Sequence, residues 1–187
     1  MRAEYPSATT SNDRNWLRTY AFVRAAVSAA WVGSAFTLGK SLPVAEGLLV
    51  AYPAWDALAN LIDARRNGGF KASPSQAVNA AVSTLTAIGV VVALGTSLNA
   101  VVGVFGAWAV LAGLLQLITG VRRWKAGGQW PMVLSGGQSA LAGAYFVKLA
   151  LGKAPVGIAD VAPYAAFGAI YFAISGLWLT FAGRRKV

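Results

Sequence analysis

The chain has 187 residues, of which 57% are hydrophobic and only 12% charged, about half the charged share of an ordinary soluble domain. It contains no Cys and no His, which removes disulfides, thiol chemistry, imidazole acid–base catalysis and the usual transition-metal ligands together. A formal charge of +10 would suggest nucleic acid in a soluble protein, but the basic residues are dispersed among apolar runs and form no interleaved patch.

The apolar runs are about 20 residues long, the length a helix needs to cross a bilayer. A polar tail, residues 1–17, comes first. It is too short to build its own core, and with Glu4 and Asp13 before a spanning-length run it does not read as a signal peptide. The expected architecture is all-α: a six-helix transmembrane domain over 18–187, with helices at about 18–39, 43–64, 74–95, 98–121, 130–151 and 160–182. Ser41 and Pro43 suit the start of the second helix. Ser73-Pro74-Ser75-Gln76 reads as a capping box with Pro at the first position of the third. Asp160, followed by Pro163, is expected to cap the sixth. Gly39, Gly95 and Gly152 close the odd-numbered helices.

Basic residues gather on one side. Arg2, Arg14 and Arg18 lie in the tail and at the start of the first helix, Arg65, Arg66 and Lys71 follow the second, Arg122, Arg123 and Lys125 follow the fourth, and Arg184, Arg185 and Lys186 end the chain. The opposite side holds only Lys40, Lys153 and, just inside, Lys148. The imbalance predicts both termini in the cytoplasm. Anionic lipid headgroups on that side are the expected partners.

The even-numbered helices share an ending: WDALANLIDARR (55–66), AGLLQLITGVRR (112–123) and SGLWLTFAGRR (175–185). Phe105-Gly106-Ala107 returns as Phe167-Gly168-Ala169, and the odd helices end in Leu38-Gly39, Leu94-Gly95 and Leu151-Gly152. A period of about 56 residues falls within the range of repeat architectures, here three hairpins related by an axis along the membrane normal. Asp56 stands where the later units have Gly113 and Gly176.

The segment VFGAWAVLAGLLQLITGVRRWKAGGQWPMVLSGGQSALAGAYF (104–146) resembles the HdeD family of small membrane proteins, built from a short repeat of unknown function. The likeness is good over 75–150, fair over 150–187 and weak over the first hairpin. It implies a bacterial inner-membrane protein linked to envelope or acid stress. The expected role is non-enzymatic, with a homo-oligomer that seals or reorganises the membrane as one expected form. The resemblance supplies no catalytic residues, cofactor or metal.

Two charges fall inside the expected spans. Arg24 lies about 9 Å inside the end of the first helix and Asp56 about 12 Å inside the end of the second, so an ion pair or proton site is expected there. The rival readings are a structural clamp and a small transporter or channel. Glu46 and Lys148 form a candidate second pair near the external face, where long side chains reach water. Ser135, Ser139 and Gly143, at four-residue spacing, suit close helix packing. Leu134-Ser135-Gly136-Gly137-Gln138 spells the ABC-ATPase signature, but no GxxxxGK[ST] accompanies it. Asn79, Gln116 and Gln138 are expected hydrogen-bond bridges between helices. An accessory subunit packed on another membrane protein is a third expectation.

Overall fold

In the computed structural model, residues 11–122, 124 and 130–184 are described. They form six helices, α1 (Ser11–Leu38), α2 (Leu42–Arg66), α3 (Pro74–Leu94), α4 (Leu98–Arg122), α5 (Trp130–Leu151) and α6 (Ile158–Arg184). Four are long and apolar enough to cross a membrane: Asn15–Leu38, Pro74–Leu94, Leu98–Arg122 and Ile158–Phe181. Arg2, Arg123, Lys125, Arg185 and Lys186 lie outside the described residues.

The helix positions follow the sequence closely, but the first begins at Ser11 within the expected tail. Trp16 explains the extension. Its indole Nε1 donates to Asp63 at 3.1 Å and the Arg66 guanidinium lies 4.5 Å from its ring centroid, so the early turns of α1 dock on α2. The capping box at Ser73 does not form. Ser73 makes no side-chain cap bond, its hydroxyl donates instead to the Asn67 carbonyl at 3.2 Å, and Gln76 turns to Asp63 at 3.1 Å. Asp160 does serve the start of α6, accepting the Gly157 N–H at 2.8 Å.

The helices close into a ring in chain order, with α1 packed on α6. The close pairs are α2·α3, α4·α5 and α6·α1, whereas α1 touches α2 lightly and α5 barely touches α6. The sequence hairpins α1–α2 and α5–α6 are therefore not the packing units. Glycine explains the α4·α5 pairing. A Cβ on Gly113 would stand 2.6 Å from the Gly136 carbonyl oxygen, and one on Gly143 would stand 2.6 Å from that of Gly106, so the two backbones touch. The α2·α3 pair keeps the same register. Ser83 faces Asp56 from 27 residues further along, as Ala140 faces Gly113. This shared offset is the structural counterpart of the sequence repeat.

Inside the ring, Leu49, Val90, Val101, Val102, Phe105 and Val161 are fully buried. A run of rings crosses the bundle. Trp31 lies 4.8 Å from Tyr52, Tyr52 meets Trp108 edge-on at 6.0 Å, and Trp108 meets Tyr164 at 6.5 Å. Phe146 completes it, 5.9 Å from Tyr164. Trp31 Nε1 also donates to the Leu48 carbonyl at 2.7 Å, beside the Leu49 carbonyl whose usual donor Pro53 removes.

Candidate functional site

One turn from Tyr52, the buried stripe of α2 changes from apolar to polar. Asp56, Asn60 and Asp63 share one helix face, and α1 and α3 supply side chains to it. Arg24 of α1 reaches Asp56 of α2 as an ion pair, its Nη2 donating to Oδ1, with side chains 13% and 18% exposed. Its Nη1 donates to the Tyr20 hydroxyl at 3.1 Å, and the guanidinium lies 4.2 Å from the Phe172 ring centroid on α6. The second carboxylate oxygen of Asp56 accepts from Ser83 at 2.7 Å and from Asn60 at 3.0 Å. Both oxygens are satisfied, so the charges tie together four helices.

Seven residues further along α2, Asp63 is only 5% exposed. Nothing in the sequence reading marked it. It accepts from Trp16 on α1, Gln76 on α3 at 3.1 Å and Asn67 at 2.9 Å, all neutral donors. Among the described residues it has no ion-pair partner. Three hydrogen bonds from fixed donors stand in for the hydration that burial removes.

The other expected positions separate. Glu46 and Lys148 form no ion pair, because α2 and α5 are not neighbours in the ring. Matched depth brings two charges together only when their helices also adjoin. Gly143 does lie in the α4·α5 contact, and Ser139 Oγ donates to the Ala109 carbonyl at 3.0 Å while sharing a 2.9 Å hydrogen bond with the Tyr164 hydroxyl. Ser135 is half-buried beside the seam, and its neighbour Gly136 holds the close approach: a Cβ there would be 2.8 Å from the Gly113 oxygen. The signature-like pentapeptide 134–138 is thus a packed stretch within α5. Asn79 is exposed, and Asn60 and Gln76 make polar contacts on α2 and between helices. Among the described residues no three carboxylates converge on a metal position.

Replacing Ser83 with Ala should leave one Asp56 oxygen short of a donor. The expected loss of stability is about 1–2 kcal/mol, between the modest mean for hydrogen bonds in membranes and the larger value for charged acceptors. Denaturant titration of purified protein measures it, and an unchanged midpoint would show that the hydroxyl contributes nothing to the clamp.

Residues 78–148, from within α3 to within α5, match the family described as a short repeat of unknown function (DUF308). Neither a curated protein nor a solved structure matches the chain. The match contains the glycine seam of α4·α5 and leaves Arg24, Asp56 and Asp63 outside it. A repeat-domain protein with four spanning-length apolar helices is the class these findings define.

Proposed function

We propose that the chain is a non-enzymatic, HdeD-like integral protein of the bacterial inner membrane that supports tolerance of envelope or acid stress. In this reading all six helices span, both termini are cytoplasmic, and the partners are anionic headgroups and further copies of the chain. The observation that carries it is the repeat match over 78–148, since HdeD-like proteins carry this repeat. The inside placement of the arginines supports the orientation. The Arg24–Asp56 pair supports a structural role, because a carboxylate whose two oxygens hold Ser83, Asn60 and a guanidinium is a clamp across helices. The run of edge-on and tilted aromatic contacts across the bundle supports a closed bundle.

One observation favours a second reading, transport. Asp56, Asn60 and Asp63 make a polar line from the charged helix end to Arg24, as a one-sided ion path would need. Proton flux separates the two. Liposomes holding the wild-type protein under an imposed pH gradient should leak no faster than empty ones, and a deletion strain should survive acid challenge less well than its parent. Flux above background would replace the structural reading with transport, and unimpaired survival would remove the stress role.

A further inference from the structure

Asp56, Asp63 and Asp160 each accept hydrogen bonds within the chain, but the Glu46 carboxylate accepts none among the described residues. Glu46 is half-buried on α2, four residues after Leu42, so it lies about 6 Å inside the helix end. Lys148 is the matching cation. It is exposed on α5, three residues before Leu151, and makes no ion pair among the described residues. Lys40 and Lys153 differ from it in lying in the loops beyond the helix ends. A charge set in an apolar helix wall calls for water or for a partner of opposite sign.

We infer that Glu46 and Lys148 pair between copies of this chain, the α2 face of one copy docking on the α5 face of the next. The two groups lie at one depth, so copies inserted in the same orientation bring them together. In the six-helix ring α2 and α5 stand on opposite sides, so each copy offers the anion on one side and the cation on the other. An anionic lipid would neutralise Lys148 and leave Glu46 alone, whereas a second copy satisfies both.

Shape agrees with charge. Over residues 47–57 every exposed position on α2 is small, namely Gly47, Ala51 and Ala54, and a Cβ on Gly47 would meet nothing within 4 Å. The α5 face is exposed at Leu141 and Tyr145 instead. The two helices run in opposite directions, and the register that pairs Glu46 with Lys148 sets Leu141 level with Pro53, between Ala51 and Ala54. Large side chains thus fall against small ones, as close approach of helices in lipid requires. A joint between unlike faces leaves each end of an assembly open, so copies add until a ring closes or a row forms. The inference rests on the membrane placement proposed above and deepens its reading of further copies as partners.

Two measurements on the full-length protein in liposomes test it. Carbodiimide joins a carboxylate to an amine in contact, so wild type should give covalent multimers whose linked peptides join Glu46 to Lys148. Energy transfer between copies labelled at the C-terminus, followed as lipid dilutes them, should show self-association. Lys148→Glu sets like charges together and should weaken that association about tenfold or more. Glu46→Lys combined with Lys148→Glu exchanges the charges and should restore both signals. Absence of self-association in wild type, equal association of wild type and Lys148→Glu, or an inserted exchange variant that restores nothing would each overturn the proposal. Multimers linked only through other residues would overturn these faces while leaving further copies as partners. Should the exchange variant not insert, loss of association in Lys148→Gln decides, and recovery of wild type in the membrane fraction tests the placement separately.

Discussion

Asp56→Ala should lower the unfolding free energy by about 3–5 kcal/mol, the usual cost of stranding one member of a buried ion pair. Among the described residues Arg24 would keep the Tyr20 side chain and the Phe172 ring, and neither carries a negative charge. Ser83 and Asn60 would each lose their carboxylate acceptor in the same step. The double replacement Arg24→Met with Asp56→Leu should recover most of that loss, because it removes both desolvated charges together. The cycle of wild type, Arg24→Met, Asp56→Leu and the double variant, measured by denaturant titration in detergent, isolates the coupling between them. A strongly favourable coupling energy identifies a clamp. A near-zero coupling would mean that each charge is solvated separately, which is what an aqueous ion path through this site requires.

The same pair shows what the sequence made legible and what it hid. Two charges inside apolar runs, at matched depths on consecutive helices, were enough to place Arg24 against Asp56. Asp63 escaped notice because it sits in the charged run that ends α2, where a carboxylate reads as solvated. Its burial depends on Trp16 turning its N–H inward from a different helix. The spacing did hold a signal: Asp56 and Asp63 are seven residues apart, with Asn60 between, which puts all three on one helix face. Glu46 and Lys148 teach the converse. Depth can be counted along a chain, but adjacency around a ring depends on which helix pairs pack closely, and loop lengths do not reveal that. The α4·α5 pair was written instead in glycine spacing. Gly106 and Gly113 on α4, like Gly136 and Gly143 on α5, recur at seven residues and so hold one face.

That spacing gives the second large effect. Gly136→Ala should destabilise the bundle by about 1–3 kcal/mol, the range for overpacking a closely fitted contact. Its Cβ would stand 2.8 Å from both the Gly113 oxygen and the Leu117 nitrogen, which are backbone atoms that cannot swing aside. Gly113→Ala should cost as much or more, since its Cβ meets the Ala140 nitrogen and lies 2.6 Å from the Gly136 oxygen. Gly137→Ala supplies the control within the same turn of α5. Nothing lies within 4 Å of its Cβ, so relief of glycine's helix penalty should leave stability unchanged or raise it by up to about 1 kcal/mol. The contrast between adjacent positions separates packing from propensity, because both glycines occupy the same helix at the same depth. Lipid tails give apolar helices no hydrophobic reason to associate, so contacts of this kind must hold α4 to α5 in a bilayer. The α2·α3 pair has the same register with Asp56 where α4 has Gly113, and there a hydrogen bond donated by Ser83 to Asp56 stands in place of close backbone contact. Equal stability of Gly136→Ala and Gly137→Ala, read from their thermal midpoints, would mean that the seam does not set the pairing.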